Sequence, residues 1–155
     1  MKEQDLLAYI QPVFIDLDMN TVEPAVGARR MDKIYAWKSM LDMGIHASGG
    51  SDAPVVSFDA MENIYFAVTR KNIKGQPEEG WIPSEKMSVD EAVKLFTKNA
   101  AYASYTEKEN GTIETGKNAD LVVLEKDIYS IDPDEIKTVK VDMTVLGGKV
   151  VFERE

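Results

Sequence analysis

With 155 residues, the chain is long enough for one ordinary domain with its own core, or for one piece of a larger domain. Its 44% apolar and 29% charged residues describe a globular protein, and no run approaches the ~18 apolar residues of a helical membrane span, so neither a membrane span nor a membrane partner is expected. A net charge of −9, with Arg29, Arg30, Arg70, Lys71 and Lys74 scattered among acids, argues against nucleic acid, and the lack of cysteine removes disulfides, thiolate metal sites and a Cys nucleophile.

Met1 to Tyr9 carries Lys2, Glu3 and Asp5 with no apolar block behind them, so no secretory leader is expected and the cytoplasm is the default location. Ala8 to Ile15 is short and mostly apolar and reads as a strand whose far end passes into a loop at Pro12. From Arg29 to Met43, Met31, Ile34, Tyr35 and Leu41 recur at helical spacing, which predicts a helix of about four turns stopped by Gly44. Gly44 to Ser48 is a second short strand, running into Gly49-Gly50-Ser51-Asp52-Ala53-Pro54. Strand, helix, strand is the order a parallel sheet requires.

Asp59 to Arg70 is predicted to be helical, with Asp59 and Glu62 as a capping pair and Met61, Ile64, Tyr65 and Val68 as the apolar stripe. A loop rich in Gly, Pro and Glu covers Gly75 to Pro83. The clearest helix start is Ser88 with Glu91 three residues on and Met87 placed to staple against Ala92, and this helix is predicted to reach Tyr105. Beyond Gly111 the pattern turns to β: Leu121 to Leu124 is an apolar run, and Val139, Val141, Met143 and Val145 alternate. Asp132-Pro133-Asp134-Glu135 marks a capped helical turn, and Gly147-Gly148 a tight hairpin into Val150 to Phe152.

Histidine is the limiting residue for metal chemistry. A catalytic zinc normally takes three protein ligands and keeps one position open for water, and this chain offers His46 alone. Asp16 with Asp18 is too little for an all-carboxylate cation loop. A lone His inside a strand reads as a buried or partly buried core residue.

Asp52 is the strongest candidate for chemistry. It follows a strand, at the end where parallel sheets and barrels place their active groups, and the two glycines before it allow backbone geometry that a Cβ would forbid. On turn chemistry alone, an aspartate here caps the next helix or bonds its own backbone. The acids Asp16, Asp18, Glu78, Glu79, Asp132, Asp134 and Glu135 read as solvated surface, Asp120 as ordering the turn from Gly116 into its strand, and Met31, Met40, Met43 and Met61 as core fillers.

Gly44 to Lys71 (GIHASGGSDAPVVSFDAMENIYFAVTRK) resembles the last barrel strand and following helix of the amidohydrolase superfamily, in its YtcJ-like branch, amidohydrolase family 3. Ile10 to Val13 is similar to the seventh strand, Gly80-Trp81 with Ser88 to Ser104 to the loop and helix before the small domain, Gly111 to Leu124 (GTIETGKNADLVVL) to the closing signature, and Lys149 to Val151 to the final hairpin. The resemblance implies an α/β fold: residues 1–108 as the last two strands and helices of a (β/α)8 barrel, and residues 109–155 as the C-terminal part of a small composite β-sandwich. It also implies metal-dependent hydrolysis of a non-peptide C–N bond in a small amide or cyclic amide. In it Asp52 would contact the divalent metal, zinc by expectation, and shuttle a proton, with the other ligands coming from an N-terminal portion not among these residues.

Pro54 and Trp81 are the substrate-pocket candidates that the resemblance implies, although a loop aromatic packed on its neighbours is an equal reading of Trp81. This chain alone is expected to bind no metal and to be inactive. Unpaired barrel strands imply association as a homo-oligomer or with the N-terminal portion. The alternative is a non-catalytic fragment with a binding or assembly role only.

Overall fold

The computed structural model describes residues 1–155. It is an α/β arrangement in which two short parallel strands, β1 (Ala8–Ile10) and β2 (Ala47–Gly49), pair Ala8 with Ala47, Tyr9 with Ser48 and Ile10 with Gly49. The intervening chain forms α1 (Phe14–Asp18), α2 (Val22–Val26), a 3-10 turn over Ala28–Lys33 and α3 (Trp37–Asp42). After β2 come α4 (Ala60–Thr69), a 3-10 turn at Pro83–Glu85, α5 (Val89–Phe96) and α6 (Lys98–Ala103). The chain closes with an antiparallel sheet in the order β3 (Leu121–Leu124), β4 (Val141–Leu146), β5 (Lys149–Glu153), with a 3-10 turn at Pro133–Thr138 between β3 and β4. No helix is long and apolar enough to cross a membrane.

α4 is the centre of the core. Asp59 caps its start, its carboxylate accepting from the Met61 and Glu62 amides, and Arg70 ends it in the left-handed conformation. Every residue from Asn63 to Thr69 is buried, so this helix is enclosed on all sides and not on a stripe. Ile15, Tyr65, Phe66, Leu95 and Ile136 meet in one cluster with the β1–β2 pair. Ile136, from the 3-10 turn beyond β3, brings the C-terminal part of the chain onto α4. At α5 the capping box forms as the sequence predicts: Ser88 Oγ accepts from the Glu91 amide and the Glu91 carboxylate accepts from the Ser88 amide. Met87 and Ala92 are both buried. Gly147 and Gly148 both take positive φ (56° and 77°), as a two-residue hairpin of matching twist requires.

Four expectations need correction. The first strand stops at Ile10, because Pro12 turns the chain into α1, where Ile15 is fully buried. The helix predicted over Arg29 to Met43 is broken at Tyr35, which adopts φ 48°. Its ring stacks on Trp37 (4.7 Å between centroids) and meets Trp81 edge-on (5.7 Å), so aromatic packing overrides helical periodicity. The helix starting at Ser88 breaks at Thr97, whose backbone is non-helical (φ −126°, ψ −96°) and whose hydroxyl donates back to the Val93 carbonyl at 2.9 Å, and α6 starts anew at Lys98. Met43 is exposed, and so is no core filler.

Candidate functional site

The carboxyl ends of β1 and β2 lie side by side, and the Gly50 amide donates to the Ile10 carbonyl at 2.9 Å, carrying the pairing one step past the strands. Two loops leave from here: Gln11–Val13 into α1, and Gly50–Asp59 into α4. Asp52 stands in the second, exposed, with φ 60°. Its carbonyl accepts from the Val55 amide at 2.9 Å, closing a turn that contains the cis Ala53–Pro54 bond. Pro54 is exposed in the same turn.

The glycines serve differently from the sequence reading. Neither Gly49 nor Gly50 is among the positive-φ residues, and the left-handed position is taken by Asp52 itself. A Cβ on Gly49 would lie 2.6 Å from Phe96 Cζ, so this glycine lets α5 press against β2. On the adjoining edge Asn99 Nδ2 donates to the Ala47 carbonyl at 2.9 Å, supplying a β2 acceptor with a partner from α6.

A hollow of about 220 Å³ opens between the two loops and α4, lined by residues that include Val13, Asp16, Val56, Ser57, Glu62 and Phe66. Asp52, Pro54 and Trp81 do not line it. Trp81 is half-buried elsewhere, its amide donating to the Arg70 carbonyl at 2.6 Å and its carbonyl accepting from Arg70 Nε at 2.9 Å. The fully buried Arg70 guanidinium lies between the Trp37 and Trp81 rings, 5.3 and 5.4 Å from their centroids, and its Nη1 donates to the Tyr35 carbonyl at 3.0 Å. Burial pulls the Arg70 pKa down to about 10 against the opposing pull of Glu85. Burial also raises the Tyr35 phenol, helped by its hydrogen bond to Asp18.

His46 is exposed, at the amino end of β2 and so at the opposite end from Asp52; its ring stacks on Tyr102 at 4.5 Å. The expected burial is wrong: the strand begins only at Ala47, and contact with Tyr102 of α6 still leaves His46 exposed. Asp16 and Asp18 are not free surface acids: both are half-buried, Asp16 accepting from the Ile73 amide at 2.7 Å and Asp18 from the Tyr35 hydroxyl. Asp120 is structural as expected, but at a different turn, where it accepts from the Gly147 amide at 2.7 Å. The sequence reading passed over Arg70, Glu85 and Asn63, the buried polar side chains that tie the segments together. The one signal for Asn63 was a polar residue beside the apolar run Ile64 to Val68.

The amidohydrolase family model matches residues 1–152. This chain belongs to that family. It is 37% identical over 145 residues to the putative amidohydrolase YtcJ of Bacillus subtilis, a match covering 94% of this chain and 27% of the relative. It is 36% identical over 122 residues to an N-substituted formamide deformylase of Arthrobacter pascens, covering 79% of this chain and 22% of that protein. An uncharacterized metal-dependent hydrolase from Pyrococcus horikoshii superposes with a TM-score of 0.75 at 22% identity, over 85% of this chain and 26% of the other, which shows a shared fold. The chain thus spans about a quarter of the length of the relatives it matches.

The Pyrococcus horikoshii protein is a metal-dependent hydrolase, which raises the question of whether this chain's donors could hold an ion. No group of three or more His, Asp or Glu side chains is gathered where it could hold an ion. Asp52 has no carboxylate or imidazole hydrogen-bonded to it, and the single histidine is at the far end of its strand. The residues present do not make a self-contained metal centre.

Proposed function

We propose that these residues are the C-terminal part of a metal-dependent amidohydrolase that hydrolyses a non-peptide C–N bond in a small amide or cyclic amide, with Asp52 as its strand-end carboxylate. Residues 1–108 would close a (β/α)8 barrel and residues 109–155 would complete a small β-sandwich. Membership of the amidohydrolase family supports the reaction class, as does similarity to a formamide deformylase. The observation that carries the assignment of Asp52 is its place directly after β2, at the carboxyl end of a parallel pair, in an exposed left-handed turn.

A carboxylate so placed suits proton transfer. It can accept a proton from the attacking water and return it to the leaving nitrogen, since a carboxylate is an acceptor when ionised and a donor once protonated. Pro54, in the same turn, would form part of the pocket rim. Trp81 would act on the pocket at most through its loop, because its faces are engaged by Arg70 and Tyr35. The divalent metal, zinc by expectation, would need its remaining ligands from residues outside this chain.

In the enzyme assembled with that remaining portion, Asp52→Asn should lower turnover by about 10²–10⁴-fold, the usual worth of a general acid–base group, with an unchanged melting curve. Retained turnover would remove Asp52 from the mechanism. Titrating zinc or manganese into the 155-residue chain alone should give no stoichiometric high-affinity site; one tight ion per chain would overturn the need for outside ligands.

A second reading has its own observation. Val122, Val123, Leu146, Val150, Val151 and Phe152 of the C-terminal sheet are all about half exposed or more, which favours association with the remaining portion or with another copy, in a purely assembling role if Asp52→Asn leaves turnover intact.

A further inference from the structure

Five polar side chains are buried: Ser48, Asn63, Thr69, Arg70 and Glu85. Thr69 bonds within its own helix and to Lys71, Glu85 accepts from Ser39, and Arg70 ties Tyr35 to Trp81. Asn63 differs, because its bonds reach both loops that leave the strand ends. Its Oδ1 accepts from the Val13 amide at 3.2 Å, fifty residues away in sequence, and its Nδ2 donates to the Asp59 carbonyl at 3.0 Å.

The first bond meets a need of the backbone, and the second adds to a bond the backbone already makes. Val13 is buried at the start of α1, where an amide has no partner within the helix. Asp59 is the last residue of the Asp52 loop; its amide donates to Ser57 Oγ at 3.1 Å, its carboxylate caps α4, and its carbonyl accepts from the Asn63 side chain as well as from the Asn63 amide at 3.3 Å. The loop is therefore pinned at its start by Gly50 on Ile10 and at its end by Asp59 on Asn63, with Asp52 between the pins.

We propose that Asn63 is a positioning residue: one buried amide clamps the loop after β1 to the loop after β2, and so fixes where Asp52 stands. The role of Asp52 rests on the reading above, whereas the clamp can be tested without turnover. Only a carboxamide of this length offers an acceptor to one loop and a donor to the other. At 1% exposure the Asn63 side chain is shut off from bulk water, so its loss leaves the buried Val13 amide without a partner.

The test is backbone amide exchange and ¹⁵N relaxation on the 155-residue chain. In Asn63→Ala, the Val13 amide should exchange at least tenfold faster relative to the α4 amides, and Ser51 to Asp59 should gain fast motion while Leu121 to Leu124 stays unchanged. Asn63→Asp splits the clamp once its carboxyl is ionised, so it is read at alkaline pH as well as neutral: the carboxylate still accepts from Val13, so that amide stays protected, but it cannot donate to Asp59 and the Asp52 loop should still loosen. If Asn63→Ala accelerates all amides by one factor and leaves the order of Ser51 to Asp59 as it was, Asn63 is a packing residue and the clamp is refuted. Should Asn63→Ala not fold, an Asp52 loop that keeps its order in Asn63→Asp refutes it equally. Failure of the Asp52 assignment would appear separately, as turnover retained in Asp52→Asn while the Asn63 variants still loosen the loop.

Discussion

α4 and the β3–β4–β5 sheet hold their place by different means. From Asn63 to Thr69 the helix has no exposed residue; it packs against α5 and the Pro133–Thr138 turn and shares one core cluster with the β1–β2 pair. All five residues of β5 are exposed, and β3 and β4 bury no residue fully. The sheet is held by its backbone ladder and by polar cross-links: Asp120 on the Gly147 amide, and Arg154 on Asp142 and Glu125. Exposed ion pairs of this kind contribute little, so the sheet depends on its connection to the core, which Ile136 supplies from between β3 and β4. One region is finished as it stands, and the other presents apolar side chains that a further element could cover.

The largest effect that could break this contrast comes from deleting a side chain on each side of it. Phe66→Ala should cost about 3–5 kcal/mol, because the ring is 2% exposed and its loss leaves a cavity among Tyr65, Leu95 and their neighbours. Val151→Ala should change stability by no more than about 0.5 kcal/mol, since the side chain is 58% exposed. Urea unfolding of both variants provides the comparison. A cost for Val151→Ala near that of Phe66→Ala would mean that β5 is covered in solution, by a second copy or by a segment of the chain.

The same contrast explains which features could be read from the residues alone. Signals that act within a few residues were legible: the Ser88–Glu91 capping box, the Asp59 cap, the Asp132 turn and the Gly147-Gly148 hairpin all formed where their side chains required. The parallel strand pair and the stretch after it, including the turn that holds Asp52, were also legible, from pattern and from family resemblance. Features set by partners distant in sequence were not. Tyr35 leaves helical geometry to pack on Trp37 and Trp81, forty-six residues beyond it in the second case, and nothing in the local periodicity announces this. His46 reads as a core residue only while its strand is placed at Gly44, three residues before its actual start at Ala47, and in a strand so short that decides whether a side chain is covered. Asn63 and Arg70 lay in an apolar helix pattern whose polar members ordinarily face solvent, and only the enclosure of α4 on every side turns them inward.

Tyr35 gives a smaller effect that sharpens the packed side of the contrast. Its phenol is held above the ordinary value, first by burial and then by the hydrogen bond to Asp18, so the folded protein keeps it neutral where the unfolded chain, with a pKa of about 10, begins to ionise. Across that range the unfolded state binds fewer protons than the folded one, and stability falls as pH rises. The contribution is complete below pH ~10 and is lost progressively above it. Tyr35→Phe removes both the Asp18 bond and the ionisation. The variant should start less stable at neutral pH and decline less steeply above pH ~10, so that the gap between the two proteins narrows with alkalinity. Urea midpoints at intervals between pH ~8 and ~11 would display it. Parallel curves would mean that the phenol ionises as readily in the folded protein as in the unfolded one, and that neither burial nor the Asp18 bond favours its neutral form.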